Sequence, residues 1–179
     1  IVQTRLAQIK LLALDVDGVL TDGTINIGNN GEIFKGFNAK DGLGISCALR
    51  SGLNIAIITG RKSEIIHKRA EELGISLLCE GVKDKYSELR RLAEELQLTQ
   101  EEIAYMGDDL NDLPAFKAAG ISFAPQDAVT EVITMANIVT TKCGGRGAVR
   151  EAVENILKAQ NKWEALIATY LESGQGDKQ

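Results

Sequence analysis

Five aspartates carry the strongest chemical signal in this sequence: Asp15, Asp17, Asp108, Asp109 and Asp112. Asp15 and Asp17 close an apolar run, in Asp15-Val16-Asp17-Gly18-Val19-Leu20. Asp108 and Asp109 close another, in Gly107-Asp108-Asp109-Leu110-Asn111-Asp112. If the two runs are neighbouring parallel strands, their ends open on one sheet edge and four carboxylates converge. Uncompensated, such carboxylates repel one another and raise each other's pKa. A hard divalent cation with oxygen ligands compensates them, and Mg²⁺ suits a site of few protein ligands and many waters better than Ca²⁺. A third apolar run, 54–59, ends in Thr59-Gly60, whose hydroxyl and free backbone N–H groups can hold phosphate oxygens. Lys85, with Lys83 as its rival, supplies a cation at the start of a helical stretch. An acidic metal site, a donor for phosphate oxygens and a lysine together suit phosphoryl transfer, where positioning and charge neutralisation supply most of the catalysis.

Each piece alone is weak. Aspartates often form turns, and Asp109 or Asp112 taken singly reads as a helix cap. A calcium-loop reading fails, because it needs an oxygen ligand at Val19 and a glycine at Leu20. The ordered set is specific, each member standing at a strand end or helix start.

The elements that must position these residues are legible as a rhythm. Continuous apolar runs at 10–16, 54–59, 75–78, 103–107, 121–124 and 137–140 read as strands buried on both faces. Helical stretches lie between and after them, at 42–50, 63–73, 84–96, 112–119, 148–160 and 163–171. Ser63 and Asp84 are N-cap residues, Gly74 is a stop, and Thr99-x-x-Glu102 has capping-box spacing for a single turn. Alternation of this kind predicts an α/β fold: a doubly wound, mostly parallel, Rossmann-like sheet with right-handed crossovers. One segment breaks the rhythm. Residues 24–35, within an excursion spanning 20–38, read as a projecting β-hairpin with an Asn-Gly turn. It follows the first strand directly, at the carboxyl edge where such folds bind ligands.

The chain has 179 residues, which fits a single domain, taken as 1–174, with 175–179 a loose tail. Lys and Arg total 20 against 25 Asp and Glu, a net charge of −5 that argues against a nucleic-acid or anionic-membrane surface. No apolar run approaches membrane-span length. Cys47, Cys79 and Cys143 are odd in number, far apart and without a C-x-x-C pair, which fits a reducing, cytoplasmic setting. Lone His67 reads as a surface or packing residue, and Trp163 with Leu166, Ile167 and Leu171 as a core or interface stripe.

The set Asp15-Val16-Asp17-Gly18-Val19-Leu20-Thr21-Asp22-Gly23, Ile58-Thr59-Gly60-Arg61, Lys85 and Gly107-Asp108-Asp109-Leu110-Asn111-Asp112 resembles the haloacid dehalogenase superfamily of phosphatases, in that family's order. The resemblance implies that Asp15 is the nucleophile that forms an aspartyl-phosphate. Asp17 would be general acid for the leaving alcohol, then base for water. Mg²⁺ would sit on Asp15, the backbone carbonyl of Asp17 and Asp108, with Asp109 supporting its waters. Thr59 and Lys85 would hold phosphoryl oxygens, supported by Gly60, and Asp112 would orient Lys85. Crowding by like charges would help Asp17 keep a proton, while the metal and Lys85 keep Asp15 ionised.

No large cap domain fits between Asp17 and Thr59, so the site is open. Lys35-x-Phe37-x-x-x-Asp41-Gly42-Leu43-Gly44-Ile45, Thr59-Gly60-Arg61-Lys62 and Gly144-Gly145-Arg146-Gly147-Ala148-Val149-Arg150-Glu151 resemble the subfamily that hydrolyses 3-deoxy-manno-octulosonate 8-phosphate. That resemblance implies a homotetramer whose hairpins gather in a central barrel, each site capped by a neighbour, and a product used for lipopolysaccharide. The substrate's carboxylate needs cations, and Arg61, Lys62 and Arg69 are the candidates. Arg69 reaches a neighbour's site by resemblance, or lies on a solvated helix face. The 144–147 stretch is either a connector or part of the entrance. Three alternatives stand beside this reading: a nonulosonate 9-phosphate as substrate, a phospho-signalling receiver domain, and a non-catalytic scaffold. Receiver domains place their lysine late, whereas Lys85 precedes Asp108 here.

Overall fold

The computed structural model describes residues 1–173; the expected tail at 175–179 lies outside them. Six strands form one parallel sheet: β1 (Leu11–Leu14), β4 (Asn54–Ile58), β5 (Leu77–Cys79), β6 (Ile103–Met106), β7 (Ile121–Ala124) and β8 (Ile138–Val139), in the order β5-β4-β1-β6-β7-β8. The order answers the question on which the aspartate argument turns. β1 is central and pairs in parallel with both β4 and β6, Leu14 standing opposite Ile57 on one side and Met106 on the other. The ends bearing Asp15, Thr59 and Asp108 are therefore adjacent.

The apolar runs are continuous because each strand feeds two cores. Leu12 and Leu14 join Ile45, Ile66, Ala70, Val149 and Val153 on one face of the sheet. Leu11 and Ala13 join Leu89, Leu92, Ala115, Phe116 and Val132 on the other. The first face is covered by α2 (Ala39–Arg50), α3 (Glu64–Leu73) and α7 (Ala148–Ala159); the second by α4 (Lys85–Glu95), α5 (Leu113–Ala118) and α6 (Thr130–Met135). Caps set the helix starts as expected. The Ser63 hydroxyl accepts from Ile66 N, and Asp84 accepts from Ser87 N. Thr99 and Glu102 close a reciprocal capping box around one short turn. Two helices carry too little periodicity to read from sequence: α1 (Val2–Leu6) and six-residue α6. The last, α8 (Trp163–Ser173), buries Leu166 and packs Trp163 against the core while Leu171 stays exposed, so the stripe is only partly core.

The hairpin stands apart from the sheet as β2 (Asn26–Gly28) and β3 (Gly31–Phe34), antiparallel to each other. Its turn corrects the sequence reading. Gly28 pairs with Gly31, so Asn29-Asn30 forms the loop, and the positive φ of +107° falls on Gly31 at the start of the second strand. Ile27, Ile33 and Phe34 project from it into solvent, 70%, 61% and 55% exposed. Among the described residues no helix is long and apolar enough to cross a membrane. All three cysteines are free thiols.

Candidate active site

The turn after β1 determines where the first two aspartates go. Its backbone leaves helical geometry at Asp17 and Gly18, and Gly18 takes a φ of +85°. That glycine also makes room for the partner strand: a Cβ on it would lie 1.8 Å from Asp108 Oδ2. The Thr21 hydroxyl accepts from the N–H groups of Gly18 and Gly23 and holds the turn's far side. The 144–147 stretch, read from sequence as a connector or part of the entrance, packs onto this turn. Gly145 N donates to Val19 O at 2.9 Å, and a Cβ on Gly144 would meet Gly18 O at 1.8 Å.

Asp15 is buried, its Oδ1 accepting from the Val16 N–H at 2.7 Å and standing 3.3 Å from Lys85 Nζ. Lys85 is the buried lysine at the start of α4, whereas Lys83 is exposed. It donates to Asp112 Oδ1 at 2.7 Å. Asp112 is fully buried and accepts three more hydrogen bonds, from Tyr105 Oη at 2.6 Å and from the backbone N–H groups of Asp108 and Asp109 at 2.9 and 3.2 Å. It is the bracket that fixes the lysine and the β6 end together. Tyr105 was invisible as a site residue in the sequence, since it sits mid-strand like any core aromatic. Only its polar tip, which a buried tyrosine must satisfy, hints at a role.

The charge of this inner group is unbalanced. Burial, with Asp112 alongside, drives the Asp15 carboxyl well above its ordinary range, although Lys85 and the Val16 N–H pull it down. Asp108 is pushed up to about 7 by burial, then by Asp112 and Asp109. Lys85 keeps a raised pKa because Asp15 and Asp112 outweigh the burial that opposes its charge. Acids crowded and buried in this way favour a bound cation. Asp15, Asp108 and Asp112 each offer an oxygen within 4.8 Å of the others. Asp112 is spent on four hydrogen bonds, so Asp15 and Asp108 are the carboxylates open to an ion. An all-oxygen donor set of this kind fits Mg²⁺. The Asp109 carboxylate caps its own short turn through Leu110 N and lines the cleft outside that trio.

Asp17 has different company. Sequence reasoning surrounded it with acids; the structure surrounds it with cations. Lys35 Nζ donates to its Oδ1 at 2.9 Å, and Arg61 Nε stands 3.5 Å from its Oδ2. The reason is the hairpin, whose return strand brings Lys35 back against the β1 turn. Lys35 also binds Glu32 at 2.7 Å, and its pKa is raised because Glu32 and Asp17 outweigh its burial. Asp15, Asp17, Thr59, Gly60, Arg61, Asp108 and Asp109 share one open cleft of about 280 Å³. Thr59 is buried beneath it, and the exposed Arg61 rims it. Lys62 lies instead over Gly81. Arg69 stacks on the Phe37 ring at 5.4 Å and meets Glu72; neither lines the cleft of its own chain. His67 pairs with Glu80 on the surface. Two larger hollows, about 440 and 790 Å³, lie at the opposite edge of the sheet and gather no comparable set of acids and cations.

The comparisons with known proteins agree with this geometry. Residues 80–152 match the model of the haloacid dehalogenase-like hydrolases. The 3-deoxy-D-manno-octulosonate 8-phosphate phosphatase of Salmonella typhi is 48% identical over 90% of this chain and 86% of its own. The crystal structure of the Yersinia pestis phosphatase of that name superposes with a TM-score of 0.89 at 47% identity, over 91% of this chain and 88% of that one. The Moraxella catarrhalis enzyme, solved with a magnesium ion, a phosphate ion and a KDO molecule, superposes at 0.91 with 43% identity, over 94% and 97% of the two chains. The chain belongs to the 3-deoxy-D-manno-octulosonate 8-phosphate phosphatase family of haloacid dehalogenase-like hydrolases.

Proposed function

We propose that this protein is a Mg²⁺-dependent phosphomonoesterase that hydrolyses 3-deoxy-D-manno-octulosonate 8-phosphate to the free sugar acid and phosphate. The observation that carries the reading is the pair of acids, buried Asp15 and half-buried Asp108, at the ends of adjacent strands with Lys85 behind them. Asp15 attacks phosphorus and Asp17 gives its proton to the departing alkoxide. Water then attacks the aspartyl-phosphate, Asp17 takes the water's proton, and the Asp15 carboxylate returns. Lys85, the Thr59 hydroxyl and the backbone N–H groups at Gly60 hold the phosphoryl oxygens, and Asp112 fixes Lys85. The ion, held by Asp15, the Asp17 backbone carbonyl and Asp108, with Asp109 behind its waters, would neutralise charge on the phosphoryl group.

Arg61 rims the cleft and suits the substrate's carboxylate. Lys62 is kept as a further substrate-binding cation, and Arg69 would reach the site of a neighbouring subunit. The hairpin's exposed Ile27, Ile33 and Phe34 support a homotetramer in which hairpins pack together and cover each other's sites. Three free thiols suit the cytoplasm. Phosphate release is measured from a panel of phosphorylated sugars and sugar acids, with and without Mg²⁺. The expected result is strict Mg²⁺ dependence and the highest kcat/KM for the octulosonate 8-phosphate. A higher value for a nonulosonate 9-phosphate moves the substrate, and a stable phosphoprotein without turnover overturns the hydrolase.

A further inference from the structure

A lysine with an almost fully buried side chain, carrying two ion pairs, lies outside the set of residues the reaction above uses. The Lys35 side chain is only 4% exposed. Its ammonium donates to Asp17 Oδ1 at 2.9 Å and binds Glu32 Oε1 at 2.7 Å. Glu32 is held in turn, its Oε2 accepting from the Ser63 hydroxyl at 2.6 Å. Ser63 is anchored by α3, which it caps, and its N–H donates to Glu80 at 2.9 Å. A chain of hydrogen bonds thus runs from a helix start, through the hairpin, to the Asp17 carboxyl. Arg61 meets Asp17 from the other side, but more loosely and from an exposed position.

We propose that Lys35 is a positioning residue for the phosphatase reaction, acting through Asp17. It fixes Oδ1 and so leaves Oδ2, the oxygen on the Arg61 side of the cleft, as the one that carries the transferred proton. Without Lys35 only the looser, exposed contact with Arg61 would hold this carboxyl, and misplacement by about 1 Å is enough to slow proton transfer. The proposal rests on the assignment of Asp17 as acid and base. In the first half-reaction the Oδ2 proton passes to the alkoxide oxygen as the P–O bond breaks and the Asp15–P bond forms. In the second, a water proton passes to Oδ2 as its oxygen bonds phosphorus and the Asp15–P bond breaks.

The test uses Lys35→Met, which keeps the buried stem and removes the charge, with Lys35→Arg and Glu32→Gln as graded variants and Asp17→Asn as reference. Each is assayed with Mg²⁺ on octulosonate 8-phosphate and on p-nitrophenyl phosphate, whose leaving group needs no proton. Lys35→Met is expected to lower kcat on the sugar acid by about tenfold to hundredfold with KM within about twofold. On the aryl ester it gives a pre-steady-state burst of nitrophenolate near one equivalent per site, because only the second half-reaction is crippled. Lys35→Arg restores most of the rate, and Glu32→Gln falls between. Equal losses on both esters without a burst, or a raised KM with kcat retained, would overturn the proposal. If Lys35→Met fails to fold, Glu32→Gln carries the same test: a burst supports the proposal, and its absence with normal kcat refutes it. Asp17→Asn separates the two levels. Full activity in that variant removes the acid–base reading itself, whereas its inactivity beside a wild-type-like Lys35→Met removes only the role of Lys35.

Discussion

Asp15 and Asp17 are two residues apart and live in opposite surroundings. Asp15 belongs to an inner half of the site, buried with Lys85, Asp112 and Tyr105 beside half-buried Asp108 and cross-braced by bonds of 2.6–3.3 Å. Asp17 belongs to an outer half, with Lys35, Arg61 and Glu32, assembled partly from a hairpin outside the sheet. The backbone turn at Gly18 makes the division, by sending one carboxyl inward and the next to the mouth. In the proposed reaction the inner half would handle phosphorus and the outer half what leaves it.

The comparison breaks most sharply at Asp15. Asp15→Asn is expected to lower turnover at least about 10⁴-fold while the cooperative thermal transition survives. Normal Mg²⁺-dependent phosphate release in that variant would remove the assigned nucleophile. A matched pair of lysine and arginine changes sharpens the contrast. Lys85→Met leaves Asp15 and Asp112 buried without their cation, and is expected to cost about 3–5 kcal/mol of folding stability along with activity. Arg61→Met, at an exposed pair, is expected to stay within about 1 kcal/mol and to show itself as a raised KM. Urea titrations of both variants measure it, and equal stabilities would show that the halves are not energetically distinct.

The inner half also predicts how the ion and pH act. Burial, then Asp112 and Asp109, push the Asp108 carboxyl up to about 7. The folded chain therefore keeps a proton that the unfolded chain has already lost, and folding stability falls as pH rises from about 4 through 7. Mg²⁺ requires the deprotonated carboxylates, so its affinity climbs over that upper range and levels off above it. Its binding below neutrality releases protons. Calorimetric titration in two buffers of different ionisation enthalpy measures that release, and a proton count of zero at pH 6 would contradict the crowding of Asp108. The thermal stabilisation on adding Mg²⁺ should be larger near pH 7.5 than near pH 5.5.

The same division separates what the sequence discloses from what it hides. The sheet order was implied by the acids themselves, because only adjacent β1 and β6 bring Asp15 and Asp108 together. Strand runs were legible because each feeds two cores, and Ser63 and Asp84 marked helix starts because caps use local chemistry. Local chemistry misled at the hairpin, where Asn29-Asn30 rather than Asn30-Gly31 forms the loop. Tyr105 stayed hidden because a strand tyrosine looks like core until its hydroxyl finds Asp112. Lys35 stayed hidden because its partner Asp17 is 18 residues away, across a hairpin whose path no periodicity fixes. Acids that must converge at strand ends are readable from spacing, whereas partners delivered by an excursion are not.

The smallest expected effect on the folded chain, and the one that tests the outer half as a shared structure, lies at the hairpin tip. Ile33 is 61% exposed, so Ile33→Glu removes almost no burial within one chain and should change monomer stability by less than about 0.5 kcal/mol. A carboxylate there is costly only if another copy's apolar side chains cover it, since an ionised group resists desolvation. Light scattering is then expected to show a smaller species for Ile33→Glu than for the parent. Its kcat/KM for the sugar acid should fall while the rate on p-nitrophenyl phosphate holds, because the inner half needs no neighbour. If the variant keeps both its mass and its sugar-acid kcat/KM, each chain's site works unaided and the hairpin serves only to deliver Lys35.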